Sequence, residues 1–136
     1  MPTRIFPGRF NVLEEIGALV VQTAQDAGFN PKDCYALQLA VDEACTNIIE
    51  HGYGGESRGE IECSCSYAGD QLTVVLRDWG QTFSPEDIPE PNFNVPIDKV
   101  QTRGAGLFLI HKIMDQVTFE FNTPNGNTLT MVKQKS

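Results

Sequence analysis

The chain has 136 residues, 40% of them hydrophobic, and a net charge of −8, so it is long enough to form one domain around its own core. Its ten Lys and Arg residues are scattered, which argues against general nucleic-acid binding, since that needs clustered positive charge. The sequence has no apolar run near the roughly 20 residues of a membrane span and no signal-peptide stretch, so we expect a cytoplasmic protein without membrane contact.

The first half of the chain predicts one strand and two helices. Residues 4–10 are short and apolar and contain a Pro-Gly pair, which is typical of an edge strand. Asn11 is a good helix cap, and helical spacing of apolar residues continues from there to Gly28. A second helix is expected over residues 33–51. The buried faces of the two helices would carry Leu13, Ile16, Val20 and Ala24, and Leu37, Val41, Ala44 and Ile48.

The second half predicts two hairpins with a helix between them. Alternating apolar residues indicate strands over residues 61–67 and 72–78. A third helix would begin near Leu107, and a last hairpin would cover residues 117–131 with an Asn-Gly type I′ turn. The resulting order is β-α-α-β-β-α-β-β. This order predicts an α+β fold, with a mixed, mostly antiparallel sheet and helices on one face.

The four cysteines are interpreted as reduced, small residues of the core. Cys63 and Cys65 are two residues apart in a strand and so share a face, which suits packing better than a disulfide. Cys34 and Cys45 do not complete a zinc site at a suitable spacing.

Residues 84–102 form a segment without helical or strand periodicity, and it holds four of the eight prolines. Long loops of this kind are uncommon in compact domains and are usually functional. We interpret the segment as an active-site lid, with a disordered insertion as the alternative.

Three signals in fixed order point to a site. Glu43, Asn47 and His51 are four residues apart, which places a carboxylate, an amide and an imidazole on one helix face. Asp78 ends a strand and could accept from an exocyclic amine, and Gly80 allows close approach. A glycine pair at 104 and 106 then opens a helix, where free backbone N–H groups favour phosphate.

Each of these signals is weak when it stands alone. Glu43 lies beside Asp42, and one of the two is expected to point to solvent and the other to the cleft. An Asp at the end of a strand commonly starts a turn, and a glycine-rich helix start has many uses. His111, inside the third helix, is expected to be structural.

In this order and spacing, the signals resemble the GHKL ATPase superfamily, which includes gyrase, Hsp90, histidine kinases and MutL. The resemblance covers nearly the whole chain and implies a single domain, residues 1–136, folded as a Bergerat-type two-layer α/β sandwich with residues 84–102 as the ATP lid. The residues that carry it look like the N box (Glu43, Asn47 and His51), the first glycine box (Asp78, Gly80 and Phe83) and the second (Gly104, Gly106 and Leu107).

Within the superfamily, residues 39–47, 103–110 and 126–131 look like the anti-sigma factor serine/threonine kinases of bacterial partner switching. The resemblance implies that Glu43 is the general base for a serine on an anti-anti-sigma (STAS-type) protein and that Asn47 binds Mg²⁺. It implies that Asp78 binds the adenine amine of ATP. The other residues expected at the nucleotide are His51, Gly80, Phe83, Gly104, Ala105, Gly106, Leu107 and Thr128, with Arg103 added on its position alone.

The sequence departs from the superfamily in two places. Many members carry Thr directly after the glycine of the last strand, where this chain has Asn127 and then Thr128, so either of them could contact the nucleotide. Ala105 also replaces a residue that is often bulkier.

Two other functions remain open. The first is a nucleotide-dependent protein-binding switch with little kinase activity, and the second is an ATP-binding fragment of a histidine kinase. A sigma factor or another regulator is the expected second partner, and a homodimer through residues 4–13 is left open.

Overall fold

The computed structural model describes residues 3–80 and 109–136. The predicted lid and the start of the third helix lie outside the described residues. Residues 109–113 are helical, and none of the helices in the described part is long and apolar enough to cross a membrane. The main elements, in chain order, are β1 (Thr3–Pro7), α1 (Leu13–Asp26), α2 (Pro31–Asn47), β2 (Glu60–Ala68), β3 (Gln71–Asp78), β4 (Gln116–Thr123) and β5 (Gly126–Gln134).

The strands form one five-stranded sheet in the order β1-β2-β3-β5-β4. All four pairings between the described strands are antiparallel, so the α+β prediction is confirmed, while the parallel part of the predicted mixture has no counterpart there. β3 lies at the centre, and its pairing with β5 places Asp78 opposite Asn127. Two residues that are distant in sequence therefore meet where the inner strand β3 ends and the inner strand β5 begins.

The helices cover one face of this sheet, as the strand periodicity predicts. Every second residue of β3 is buried, including Leu72, Val74 and Leu76. The predicted helix faces join them in the core, where Ile16, Val20, Ala24, Leu37 and Val41 are fully buried. All four cysteines are free and buried, in agreement with the sequence interpretation.

The start of α1 differs from the prediction, because Asn11 does not cap it. A 3₁₀ turn (Phe10–Val12) precedes the helix and has no side-chain cap from its neighbour. The Phe10 N–H instead donates to Glu56 Oε1 at 2.8 Å. The Gly8 N–H also donates to the Gly59 carbonyl at 2.7 Å, which holds the segment before the 3₁₀ turn against the segment before β2. The Glu56 carboxylate can therefore cap the turn from a distant part of the sequence.

Helix α2 begins earlier and ends differently than predicted. Asn30 Oδ1 accepts from the Asp33 N–H at 2.8 Å and Pro31 fills the first helical position, so the helix starts two residues sooner. At the other end, the α-helix gives way to a π turn (Ile48–Gly52), in which the Tyr53 N–H donates to the Ile48 carbonyl at 2.9 Å. A π turn holds more residues than an α turn, so His51 does not continue the face of Glu43 and Asn47.

The predicted type I′ turn between β4 and β5 is wrong. Gly126 has φ +88°, whereas Asn125 is not among the described non-glycine residues with positive φ. A type I′ turn needs positive φ at both central residues. The glycine is nevertheless required, because a Cβ at Gly126 would lie 2.5 Å from the Asp78 carbonyl oxygen.

Candidate nucleotide-binding site

A pocket opens between the end of α2 and the place where β3 ends and β5 begins. It draws on elements far apart in the sequence, and its lining combines apolar residues with a small number of converging polar side chains, as in small-molecule sites generally. Among the described residues it is lined by Ala44, Asn47, Ile48, Asp78, Ile110, Phe119, Phe121, Asn127, Thr128 and Leu129.

Asp78 is the carboxylate of this pocket and is only 5% exposed. Its Oδ1 accepts from the Gly80 N–H at 2.9 Å and from Asn127 Nδ2 at 3.1 Å. Both described donors reach the same oxygen, which leaves Oδ2 as the oxygen that can accept from a ligand. The sequence prediction of an acceptor at Asp78 therefore has a geometric basis.

Two effects act on the ionisation of Asp78. Burial raises its pKa above the ordinary value, while the hydrogen bonds from Asn127 and from the Gly80 N–H act in the opposite direction. The net shift of the pKa is upward. The two donors thus keep a desolvated carboxylate closer to the charged form, which is the form that accepts hydrogen bonds with both oxygens.

Asn47 brings an amide to the same pocket from the last turn of α2. It is 6% exposed, and its Nδ2 has no hydrogen-bond partner within the described residues. A buried amide that lacks a partner and faces a pocket is expected to meet a ligand group. Its carbonyl oxygen is also a hard ligand of the type that Mg²⁺ prefers, so the side chain fits the predicted metal role.

The described residues hold no group of three or more His, Cys, Asp or Glu side chains that could bind a metal ion by themselves. A magnesium ion held by these residues would therefore take only part of its coordination from them. This agrees with the usual mode of Mg²⁺ at nucleotides, which uses one or two side chains together with phosphate oxygens and water.

Glu43 lies one turn before Asn47 on α2 and is half-buried. Burial raises its pKa, and the negative charges of Asp42 and Glu50 raise it further. A carboxylate with a raised pKa is a better proton acceptor near neutral pH. The expected division between a solvent-facing Asp42 and a cleft-facing Glu43 is not visible in burial, because Asp42 is half-buried too and burial also raises its pKa.

Of three other predicted residues, the pocket lining includes only one. Thr128 is part of the lining, but alternation along β5 places the buried Asn127, rather than Thr128, on the helix-covered face with Leu129. His51 and Gly80 are not among the lining residues. A Cβ at Gly80 would lie 2.5 Å from the Gly52 carbonyl oxygen, so the close approach that this glycine permits is that of the π turn.

The sequence reasoning missed two aromatic residues of the pocket. Phe119 and Phe121 stack with ring centroids 5.5 Å apart and an interplanar angle of 17°. The β4–β5 register shifts between Glu120 and Thr123, and such bulges re-aim side chains. The alternation of residues 117, 119 and 121 predicted their common face, but nothing in the sequence placed that face beside Asp78.

Tyr53 was missed as well and connects the π turn to the end of β3. Its hydroxyl accepts from the Trp79 N–H at 3.1 Å and donates to the Glu60 carbonyl oxygen. The ring also occupies the space in which a Cβ of Gly59 would lie. Tyr53 thereby fixes the backbone between Asp78 and Gly80 relative to the end of α2.

The remaining predicted site residues lie outside the described residues. These are Phe83, Arg103, Gly104, Ala105, Gly106 and Leu107, and their predicted contacts with the nucleotide stay predictions. His111, expected to be structural, is exposed on the helical stretch 109–113.

The chain is similar to known ATPase domains and protein kinases. Residues 6–133 match the family model described as a histidine kinase-like ATPase domain. The serine-protein kinase RsbW of Bacillus velezensis is 32% identical over 114 residues, which are 81% of this chain and 70% of that protein. The RsbW protein of Halalkalibacterium halodurans is 29% identical over 131 residues, which are 93% of this chain and 78% of that protein.

Solved structures show the same fold. A structure of the RsbU and RsbW domains of a Mycobacterium tuberculosis protein superimposes with a TM-score of 0.66 at 18% identity. It covers 99% of this chain, which spans only 32% of that longer chain. The catalytic domain of the histidine kinase ThkA gives a TM-score of 0.57 at 17% identity, with 99% of both chains covered.

Proposed function

The chain belongs to the histidine kinase-like ATPase domain family, and we propose that it is a serine-protein kinase that binds ATP in the pocket beside Asp78. Its relatives are serine-protein kinases, and they match the chain over most of its length. The observation that carries the proposal is the buried carboxylate of Asp78, which is held by two donors on Oδ1 and leaves Oδ2 for a ligand amine. Adenine presents such an amine, whereas guanine presents a carbonyl at the same position.

In this proposal the pocket receives the adenine base. The Asp78 carboxylate accepts from the exocyclic amine, and the rings of Phe119 and Phe121 supply an apolar wall for the purine. Asn47 lies on the α2 side of the same pocket, where its amide meets the phosphates or their metal ion. Bound Mg²⁺ would neutralise charge on the phosphates.

Glu43 acts on the protein substrate. The serine hydroxyl attacks the γ-phosphorus, the bond to the β–γ bridging oxygen breaks, ADP leaves and the hydroxyl proton passes to the Glu43 carboxylate. The half-burial of this carboxylate and its raised pKa support the assignment. The phosphates are expected to be held by Arg103, Gly104 and Gly106.

The substrate serine is proposed to lie on an anti-anti-sigma (STAS-type) protein, with a sigma factor or another regulator as the competing partner. These partners are inferred from the likeness to the RsbW kinases. A cytoplasmic location also belongs to the proposal and rests on the sequence interpretation.

The experiment compares Glu43→Gln with Asp42→Asn, which removes the neighbouring half-buried carboxylate from the same helix. Transfer of radiolabelled phosphate from ATP to the purified anti-anti-sigma protein is measured together with the binding of a non-hydrolysable ATP analogue. We expect Glu43→Gln to lower the transfer rate by about 10²- to 10⁴-fold with analogue binding retained. Asp42→Asn should retain analogue binding and lose far less of the transfer rate, because burial, the largest cause of the raised pKa of Glu43, stays in place.

Two results would contradict the proposal in different ways. Absence of analogue binding by the unsubstituted protein would remove the nucleotide site. Binding that changes the affinity for a sigma factor, without any phosphate transfer, would favour a nucleotide-dependent protein-binding switch instead.

A further inference from the structure

The amide of Asn127 donates to two acceptors at once, which a hydroxyl side chain at this position could not do. Nδ2 donates to Asp78 Oδ1 at 3.1 Å and to the Gly80 carbonyl oxygen at 3.0 Å. One NH₂ group therefore joins the start of β5 to both ends of the turn after β3. A hydroxyl group carries a single proton and could serve only one of these acceptors.

The surroundings hold this amide in place. Asn127 is 7% exposed, and its backbone is paired with Asp78 across the β3–β5 ladder. The adjacent Gly126 has φ +88° and lies so close to the Asp78 carbonyl that a side chain would not fit. The pairing of the Asn127 and Asp78 backbones, together with burial of the side chain, therefore fixes the position of the Asn127 NH₂ group relative to the Asp78 carboxylate.

We propose that Asn127 is a positioning residue that selects adenine by holding the Asp78 carboxylate with Oδ2 directed at the 6-amine. The inference rests on the proposed function, because it names a determinant of base specificity in the same pocket. With Oδ1 occupied by Asn127 and by the Gly80 N–H, the carboxylate can neither rotate freely nor present a proton from that oxygen.

Loss of the Asn127 amide would change the protonation of Asp78. The carboxylate would keep one donor and stay buried, so the neutral carboxylic acid would become more favourable. A carboxylic acid can donate through its O–H to a carbonyl oxygen. The pocket would then accept a 6-oxo purine more readily and a 6-amino purine less readily.

The test measures binding of ADP and of inosine diphosphate by isothermal titration. The two ligands differ only along the purine edge at positions 1 and 6, and neither can donate a γ-phosphate. The variants are Asn127→Leu, which removes both donors at similar size, and Asn127→Thr, which keeps one hydroxyl. Thr130→Val is the matched control, since this residue lies on the same strand opposite Val75 and Thr118, away from the pocket.

We expect the ratio of the ADP and inosine diphosphate association constants to fall by about tenfold in Asn127→Leu, the size expected when a hydrogen bond to a charged group is lost. The ratio for Asn127→Thr should lie between that of Asn127→Leu and that of the unsubstituted protein, and Thr130→Val should keep the original ratio. Thermal unfolding of each variant shows whether it is folded, and Asn127→Thr keeps the test usable if the leucine variant is not.

The outcomes separate the two proposals. A parallel loss of affinity for both ligands with an unchanged ratio would overturn the selective role of Asn127 while the nucleotide site stands. Absence of ADP binding by the unsubstituted protein would overturn the proposed function and this inference with it.

Discussion

At the scale of single residues, two of the proposed site residues are carboxylates, Asp78 in the pocket and Glu43 one turn before Asn47 on α2. Burial affects the two alike, and their neighbours affect them differently. Burial raises the pKa of both Glu43 and Asp78. Asp78 then receives two N–H donors, which oppose the shift, whereas Glu43 faces the charges of Asp42 and Glu50, which increase it. The first environment suits a lasting hydrogen-bond acceptor, and the second suits a group that takes up a proton during the reaction.

The protonation of Asp78 predicts a pH dependence for nucleotide binding. A protonated Oδ2 would present a donor to the adenine amine, so affinity should decline as the pH falls through the pKa of Asp78. Because this pKa lies above its ordinary value of 3.8, the decline should begin at a higher pH than for an exposed aspartate. Titration of ADP into the protein at a series of pH values measures the effect.

Asp78→Asn provides the control for this titration, since it lacks the ionisable group. Its affinity should be lower, and the pH-dependent part assigned to Asp78 should be absent. Among the described residues, Tyr53 is a titratable neighbour coupled to this carboxylate, and its own pKa is raised, mainly by burial. The same pH profile in both proteins would show that another group controls binding.

At the scale of elements, the junction between the π turn and the end of β3 sets the position of the site. The Gly52 carbonyl lies against Gly80, and the Tyr53 hydroxyl accepts from the Trp79 N–H. π turns are often found at functional sites. Here the turn brings backbone and an aromatic ring to the strand end where Asp78 and Asn127 meet.

Gly80→Ala tests this junction. The new Cβ would lie 2.5 Å from the Gly52 carbonyl oxygen and 3.0 Å from the Tyr53 ring, so the backbone must move. We expect a lower melting temperature and weaker ADP binding, because the Gly80 N–H that bonds Asp78 Oδ1 moves with it. Thermal unfolding and titration of the same sample measure both effects.

Gly17→Ala makes the same chemical change inside α1. Its Cβ would meet the flexible side chain of Gln38, with the nearest atom at 3.2 Å. Alanine is favoured over glycine within a helix by up to about 1 kcal/mol. An unchanged or raised melting temperature in this variant and a lowered one in Gly80→Ala would confirm the steric role. Equal melting temperatures in the two variants would contradict it.

The periodicity of the sequence predicted the elements well, since apolar spacing directly reports which face is buried. It failed where a distant group replaces a local one. Asn11 has the chemistry of a helix cap, yet Glu56 accepts from the Phe10 N–H because two loops are held together. The π turn was missed for a different reason, because the spacing of Asn47 and His51 fits an α-helix equally well.

At the scale of the whole molecule, the site forms because the sheet order places β3 between β2 and β5. Asp78, Asn47 and the family could be predicted from the sequence, since they belong to contiguous motifs. Asn127 was one of two candidates from the sequence, but its bond to Asp78 and the place of Phe119 in the pocket follow only from the pairing of β5 with β3 and with β4. The predictions that fall on Arg103, Gly104 and Gly106 stay predictions.

Besides the bond between Asp78 and Asn127, a second group of hydrogen bonds joins distant parts of the sequence, and it lies away from the site. The Asp33 carboxylate, near the start of α2, accepts from the Ser136 N–H at 3.0 Å and from the Ser136 hydroxyl at 2.7 Å. Lys133 Nζ lies 3.9 Å from the same carboxylate. These contacts join α2 to the segment around the end of β5, across 103 positions of sequence.

This connection predicts how stability depends on pH. Burial acts to raise the pKa of Asp33, but the two bonds from Ser136 and the charges of Lys133 and Lys32 outweigh it, and the pKa lies below its ordinary value of 3.8. A lowered pKa in the folded state stabilises the protein above the unfolded pKa, and that stabilisation is lost as the pH falls through the folded value. Asp33→Asn should lower the free energy of unfolding by about 1 to 3 kcal/mol at pH 7.

Urea unfolding at pH 7 and at pH 3 measures this contribution. The difference in the free energy of unfolding between the unsubstituted protein and Asp33→Asn should narrow at the lower pH as Asp33 becomes protonated. Asp26→Asn is the control, because this carboxylate lies exposed in the last turn of α1 and bonds only Gln22 within the described residues. A negative charge there opposes the helix dipole, so the control should be neutral or slightly stabilising. A gap for Asp33→Asn that stays constant with pH would mean that the side-chain geometry, and not the charge, holds α2 to the end of β5.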